Sequence, residues 1–194
     1  NRWQNQLLEF LSQRKKFSGI VYCLSRKGTE KVAEFLEGNG FNASAYHAGM
    51  DGGNRKKVQD KFMTEDGVVV VATIAFAMGI DKPDIRYVVH VNLPSSLEAY
   101  YQEIGRAGRD GLPSETLLIY GLDDLILRRR MIEDSDTETS FKLQEHKRLD
   151  YLLSYCETPD CRRKSLLNYF DDEIKNCDNC DNCLDPPKLI NGTE

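Results

Sequence analysis

The run V-V-V-V-A at residues 68–72 decides the fold class. A strand with one face in water alternates apolar and polar residues, so an unbroken apolar run predicts a strand that is buried on both faces. Similar runs occur at residues 19–23, 43–46, 87–91 and 116–120, and helical patterns follow two of them, at 27–36 and 54–62. We therefore predict an α/β domain over residues 1–124, with a parallel, doubly wound sheet and flanking helices.

The two ends of the chain differ from this pattern. The first residue is Asn1, and an amphipathic helix is already in progress there, so the sequence looks like a piece of a longer protein. After Asp124 no strand-like run appears, and helical periodicity returns at 125–132, 141–155 and 162–170, with a polar hinge at 133–140. We predict a small helical domain over residues 125–187, followed by a linker or tail at 188–194.

Composition bounds the class of protein. The 194 residues are 40% hydrophobic and 29% charged, which is typical of a soluble globular protein, and no run of eighteen apolar residues or signal peptide occurs. We expect no membrane partner and an intracellular location: the cytoplasm and nucleoid in a bacterium, or the nucleus in a eukaryote. The net charge of -5 argues against nucleic acid, but basic residues cluster locally at 26–27, 55–57, 128–130 and 162–164. Each cluster could equally be a solvated helix face.

Five of the six cysteines fall between residues 156 and 183. Cys177, Cys180 and Cys183 repeat C-x2-C twice, and with Cys161 they read C-x15-C-x2-C-x2-C, a spacing that can place four thiolates around one tetrahedral ion. Spacing alone does not exclude Cys156 as the fourth ligand. Disulfides are unfavourable in an intracellular chain, so we predict a closed, structural zinc site.

The motif Q-E-I-G-R-A-G-R-D-G at residues 102–111 predicts a phosphate contact. On a helix, the i, i+3 spacing would place Arg106 and Arg109 on one face, while Gly105 and Gly108 would let another surface approach closely. Such arginines suit a nucleotide that is shared with a second domain, where they stabilise charge during phosphoryl transfer. An isolated R-x-x-R is more often a solvated helix with a glycine cap.

A second motif, V-V-V-A-T-I-A-F-A-M-G-I-D-K-P-D at residues 69–84, joins a strand to a loop. Thr73 and Gly79 would present a hydroxyl group and backbone amides at the carboxyl end of the strand, where α/β sheets bind ligands. Asp81 could accept a hydrogen bond from a ribose hydroxyl or from an arginine of the first motif. We take Gly79, Asp81 and Gly105 as candidate nucleotide contacts, although this motif alone could be a simple strand exit.

Read together, the motifs resemble the RecQ family of superfamily 2 DNA helicases. The match covers nearly the whole chain, through I-V-Y-C-L-S-R at 20–26, A-Y-H-A-G-M at 45–50, A-T-I-A-F-A-M-G-I-D-K-P-D at 72–84, Y-Y-Q-E-I-G-R-A-G-R-D-G at 100–111, C-R-R-K-S-L-L-N-Y-F at 161–170 and C-D-N-C-D-N-C at 177–183. The resemblance implies a second RecA-like lobe followed by a RecQ zinc-binding domain, and it favours Cys161 as the fourth zinc ligand.

The resemblance also implies roles for individual residues. Arg109 takes the position of the usual arginine finger, with Arg106 and Gln102 beside it, facing ATP that is bound to another lobe. The positions that line the single-stranded DNA path and contact phosphates correspond to five residues: Ser25, Arg26, His47, Gly49 and Thr73. Hydroxyl, amide and imidazole groups can hold a nucleic-acid backbone without reading its bases.

The sequence has no G-x-x-x-x-G-K-[ST] phosphate cradle and no D-E-x-H metal motif. We therefore expect ATP and Mg to be bound mainly by a first RecA-like lobe of the same polypeptide, and this fragment to be inactive alone. The intact protein would be a 3′–5′ DNA helicase acting on single strands and fork junctions in replication, recombination and repair. The alternative is a stand-alone, non-catalytic DNA- or protein-binding module; an RNA helicase fits the cysteines less well.

Overall fold

A computed structural model of the chain describes residues 2–77 and 81–188. Its elements, in chain order, are α1 (Arg2–Ser12), β1 (Gly19–Tyr22), α2 (Arg26–Gly38), β2 (Asn42–Tyr46), α3 (Gly52–Thr64), β3 (Val68–Ala72), a short 3-10 helix (Ile74–Ala77), β4 (Tyr87–His90), α4 (Leu97–Ile104), β5 (Glu115–Leu118), α5 (Leu122–Glu133), α6 (Thr139–Glu157), α7 (Arg162–Asn168) and α8 (Asp181–Leu184). Gly79 and most of the predicted tail lie outside the described residues.

The five strands form one parallel sheet in the order β2-β3-β1-β4-β5. Strand β1 lies at the centre, where Val21 is aligned with Val71 of β3 and Val89 of β4. The prediction of a RecA-like parallel sheet with flanking helices, followed by a helical cysteine-rich region, is confirmed. The predicted strands match the observed strands to within two residues at each end, as expected when apolar runs mark buried strands.

Both faces of the sheet are buried at its three central strands, β3, β1 and β4, whereas the edge strands β2 and β5 are partly exposed. Val69 and Val71 pack with residues of α1 and α2, whereas Val68 and Val70, on the opposite face, pack in a second cluster around Phe62 of α3. Burial on both sides explains why strand β3 carries no polar position, because every side chain along it is removed from water.

Local signals set the ends of two helices that follow strands. The Ser25 hydroxyl accepts a hydrogen bond from the Gly28 amide at 3.0 Å and caps α2, and Asp51 caps α3 through the Asn54 amide at 2.9 Å. Gly40 follows α2 with φ +78°, the left-handed conformation that commonly ends a helix and that glycine adopts without strain. These caps begin both helices close to the carboxyl edge of the sheet.

The described residues form two compact units. The sheet unit contains the described residues up to Pro94 together with Gln102–Met131, and the cysteine unit contains Ser95–Tyr101 with the described residues from Ile132 onward. The predicted domain boundary between residues 124 and 125 stays a prediction. Within the described part of the chain, no helix has both the length and the apolar character that a membrane span requires.

Few apolar side chains are buried among the described residues of the cysteine unit from Ile132 onward. Leu149 and Leu152 of α6 and Leu166 of α7 are buried, together with Cys161. The polar hinge predicted at 133–140 corresponds to the break between α5, which ends at Glu133, and α6, which begins at Thr139. So little apolar burial leaves much of the unit's stability to other interactions.

Candidate functional site

The five residues that the resemblance assigns to DNA lie at the carboxyl edge of the sheet, and we call them the carboxyl-edge cluster: Ser25, Arg26, His47, Gly49 and Thr73. They follow β1, β2 and β3, whose carboxyl ends meet at one edge because the strands are parallel. A Cβ atom added to Gly49 would lie 3.2 Å from both Arg26 Cδ and His47 Nδ1, so these three residues are in contact. The Thr73 amide donates to the Tyr46 carbonyl at 3.3 Å, which ties Thr73 to the end of β2.

Members of this cluster differ in their access to solvent. Ser25, Arg26 and Gly49 are exposed, whereas His47 is only 5% exposed. His47 Nε2 lies 3.2 Å from Glu30 Oε1, and its buried Nδ1 has no hydrogen-bond partner among the described residues. The Ser25 hydroxyl group, the Arg26 guanidinium group and the Gly49 backbone are exposed and can contact a phosphate directly. The buried His47 can support them from the interior of the protein.

Arg106 and Arg109 lie beyond the end of helix α4, so the predicted i, i+3 helical face is wrong. Helix α4 ends at Ile104, and residues 105–111, which we call the arginine loop, form a series of turns. Gly108 has φ +68°, and its amide donates to the Ile85 carbonyl at 2.9 Å. The Asp110 amide donates to the Pro83 carbonyl at 3.2 Å. These bonds hold the loop on the segment before β4.

Within the arginine loop, the two arginines have different environments. Arg109 Nη1 donates to Asp81 Oδ1 at 2.7 Å, and Arg109 Nε donates to the Gly105 carbonyl at 3.4 Å. Arg106 is half-buried near the Tyr22 hydroxyl. Gln102 is exposed on α4. From the sequence, Asp81 could pair with a ribose hydroxyl or with an arginine of the first motif. In the structure it pairs with Arg109.

Arg109 can exchange the Asp81 carboxylate for another anion. The side chain of Arg109 is 42% exposed and that of Asp81 is 85% exposed. Ion pairs at this exposure contribute only about 0–1 kcal/mol to stability. A phosphate group offers the guanidinium a more highly charged, bidentate acceptor, so Arg109 can leave Asp81 at little cost when such a group approaches.

Arg86 fixes the far end of the arginine loop. Its Nη2 pairs with Asp110 Oδ2, its Nη1 donates to the Pro113 carbonyl at 3.2 Å, and its Nε donates to the Asp84 carbonyl at 3.1 Å. The hydrogen bond from Arg86 holds the pKa of Asp110 below its usual range. Sequence reasoning missed Arg86, because a single arginine before a strand gives no signal of its partners.

Four cysteine sulfur atoms converge in the cysteine unit, and they are those of Cys161, Cys177, Cys180 and Cys183. All four lie within 4.8 Å of one another. Sulfurs placed at about 2.3 Å around zinc would be about 3.8 Å apart, so this set fits a tetrahedral zinc site with small adjustments. Cys156, which the spacing left open, is not in this group.

Backbone amides point at the sulfur atoms and favour the thiolate form. Cys161 Sγ accepts from the Cys177 amide at 3.3 Å and the Lys164 amide at 3.5 Å, and Cys180 Sγ accepts from the Arg162 amide at 3.3 Å. Burial raises the pKa of Cys161, but the amide hydrogen bonds outweigh it and lower the pKa to about 6. Thiolates are the form that binds zinc, so the amides prepare this sulfur for a cation.

A polar shell surrounds the four cysteines. Arg162 Nη1 donates to the carbonyls of Tyr155 and Cys156 at 2.9 and 2.8 Å, and its Nε donates to Asp181 Oδ1 at 3.0 Å. Asn182 Nδ2 donates to the Thr158 carbonyl at 2.7 Å. Arg162 therefore joins the end of α6 to the start of α8 and orients the cysteines on either side.

Comparisons with known proteins agree with this arrangement. The model of the helicase conserved C-terminal domain matches residues 3–111, and the RecQ zinc-binding model matches residues 122–184. An ATP-dependent DNA helicase RecQ from Haemophilus influenzae is 45% identical over 188 residues, which are 96% of this chain and 30% of that protein. The RecQ-like DNA helicase blm-1 of Caenorhabditis elegans is 47% identical over 165 residues, 84% of this chain and 17% of that protein.

Solved structures show the same fold. The crystal structure of the E. coli DEAD-box protein SrmB bound to regulator of ribonuclease activity A matches with a TM-score of 0.57 and 30% identity, over 64% of this chain and 74% of that chain. The chain therefore belongs to the helicase conserved C-terminal domain family, as the C-terminal region of a RecQ-family superfamily 2 helicase. It spans less than a third of the length of the two RecQ relatives.

Proposed function

We propose that the chain is the second RecA-like lobe and zinc-binding domain, over residues 1–124 and 125–187, of an ATP-dependent 3′–5′ DNA helicase that acts in replication, recombination and repair. The helicase names of its relatives support the activity. One observation carries the proposal: Arg109 is exposed on a loop that is fixed at both ends, and its charge is paired with an exposed carboxylate, that of Asp81. An arginine in this state can be delivered to a phosphate bound outside the chain.

In this proposal a first RecA-like lobe of the same polypeptide binds ATP and Mg, and the chain alone is inactive. Arg109 donates to the phosphate that is being transferred, where such an arginine accelerates hydrolysis by roughly 10³–10⁵-fold. Arg106 and Gln102 line the same nucleotide, with Gly79, Asp81 and Gly105 beside them. Closing the cleft between the lobes would exchange the Asp81 carboxylate for phosphate oxygens.

Nucleic acid would bind at the carboxyl-edge cluster. The carboxyl-edge cluster offers a guanidinium group, a hydroxyl group and the backbone of Gly49, which are suited to the phosphates of a single strand. None of these groups reads a base, so binding would be independent of sequence. A protein with this function would be located with DNA, in the nucleoid of a bacterium or the nucleus of a eukaryote.

Zinc would occupy the four-cysteine site as a structural ion. Four protein sulfurs complete a tetrahedron and leave no open position for a substrate or an activated water molecule. The limited apolar burial in the cysteine unit from Ile132 onward gives the ion a clear role, because binding energy at such a site stabilises the fold around it. The cysteine residues hold α6, α7 and α8 in one unit and take no part in ATP hydrolysis.

The test uses the longer helicase that carries this chain, with Arg109→Ala and Arg109→Lys. We expect DNA-stimulated ATP turnover to fall by at least about 10³-fold in Arg109→Ala, while the affinity for ATP stays within about threefold. Lysine keeps the charge without the planar fork, so Arg109→Lys should recover only part of the loss. Wild-type turnover in Arg109→Ala would remove the finger from Arg109 and with it the proposal.

A further inference from the structure

Just before the arginine loop, Glu103 of α4 forms a buried pair with His90, which lies at the end of β4. The residues are 7% and 2% exposed, and His90 Nε2 lies 2.5 Å from Glu103 Oε2. A buried carboxylate is unfavourable unless it is paired and hydrogen-bonded, so this contact ties the last turn of α4 to the central part of the sheet. Neither residue belongs to the nucleotide or DNA contacts described above.

Cations and an aromatic ring surround the pair. The ring of Tyr22 stacks on His90 with centroids 5.1 Å apart and an interplanar angle of 23°. Arg128 of α5 donates to the Leu93 carbonyl at 2.8 Å, and its charge faces the Glu103 carboxylate. Glu103 and Arg106 both act electrostatically on the Tyr22 hydroxyl. The Glu103 carboxylate therefore interacts with a set of polar side chains that includes Arg106, a residue of the arginine loop.

The arginine loop begins where this pair anchors the helix. The Arg106 amide donates to the Glu103 carbonyl at 3.4 Å, and the Ala107 amide donates to the Ile104 carbonyl at 3.1 Å. The first turn of the loop thus depends on the last two residues of α4. Its far end is held by Arg86. A loop fixed at both ends presents the Arg109 guanidinium without further ordering when a phosphate arrives.

We propose that Glu103, through His90, is a positioning residue that sets the place of the arginine loop and hence of Arg109. The expected effect on ATP turnover rests on the proposed function. The expected effect on the placement of the arginine loop does not. The pair anchors the last turn of α4, where the arginine loop begins. It is not among the proposed nucleotide contacts, so it acts on hydrolysis only through the arginines. Its loss should affect turnover rather than ATP affinity.

The structural arm of the test uses this chain, with Glu103→Gln, which keeps the shape and removes the charge, and Glu103→Ala. A matched control is Glu34→Gln, at an exposed position on α2. We expect hydrogen exchange at the Gly108 and Asp110 amides to accelerate by about tenfold or more in both Glu103 variants, and to stay unchanged in the control. Glu103→Gln keeps the test valid if Glu103→Ala does not fold.

The catalytic arm uses the longer helicase. Glu103→Gln should lower kcat for ATP by about tenfold or more with KM within about twofold, and adding Arg109→Ala should then cost far less than it does in the wild type, because both changes act on one guanidinium. Unchanged amide exchange, or losses that multiply fully in the double variant, would overturn the inference. Full turnover in Arg109→Ala would instead overturn the proposed function, while faster exchange at Gly108 would still support the positioning role.

Discussion

Replacing Gly108 with alanine should destabilise the sheet unit more than the same change at Gly111, three residues later. Both glycines are left-handed, with φ +68° and +79°, so an alanine at either position loses about 1–2 kcal/mol. At Gly108 the new Cβ would also lie 2.6 Å from Ser114 Oγ and 3.0 Å from the Leu112 carbonyl oxygen, whereas nothing lies within 4 Å at Gly111. Overpacking of this kind adds about 1–3 kcal/mol.

The expected free energy of unfolding therefore falls by about 2–5 kcal/mol in Gly108→Ala and by about 1–2 kcal/mol in Gly111→Ala. The assay is urea unfolding followed by the fluorescence of Trp3, the single tryptophan, which packs on the core of the sheet unit and against Phe35 with ring centroids 6.2 Å apart. Equal losses in the two variants would show that the close approach of residues 112–114 to Gly108 has no energetic effect.

Three further predictions concern the cysteine unit and the carboxyl-edge cluster. Cys180→Ser, or removal of metal with a chelator, should reduce the helical circular dichroism signal and leave the tryptophan unfolding midpoint unchanged; an unchanged signal would contradict the structural role of the metal. Arg162→Ala should speed zinc release to a chelator by about tenfold or more relative to Arg163→Ala, an exposed neighbour, and equal rates would show that the polar shell does not hold the cysteines. Arg26→Ala should lower the salt dependence of single-stranded DNA binding by about 0.7 in log–log slope, and an unchanged slope would remove Arg26 from the phosphate contacts.

The sequence predicts the sheet well because burial on both faces leaves a direct trace. Strand β3, at Val68–Ala72, has the predicted bounds, and the left-handed Gly40 follows from the need to end a helix. Cys177, Cys180 and Cys183 also converge as their spacing suggests, and Cys161 joins them as the family resemblance implies. In each case the constraint is local: a run of apolar residues, a turn residue or a short ligand spacing is sufficient to reveal it.

The conformation of the arginine loop could not be predicted in the same way. The i, i+3 arginines fit a helix, but the helix ends because the Gly108 and Asp110 amides bond to carbonyls about twenty-five residues earlier in the chain. The Glu103–His90 pair was missed because a glutamate within a polar motif looks like a surface residue. A histidine closing an apolar strand was the one available signal, since a buried imidazole requires a partner.

The central claim is that Arg109 reaches the phosphate of an ATP molecule held by another lobe. The most direct measurement is a crystal structure of the longer helicase with ADP and a fluoride mimic of the transferred phosphate. We expect the Arg109 guanidinium to leave Asp81 and to lie within about 2.7–3.2 Å of the mimic, in hydrogen-bond contact. A guanidinium that remains paired with Asp81 while the mimic occupies a closed site would show that Arg109 is not the finger.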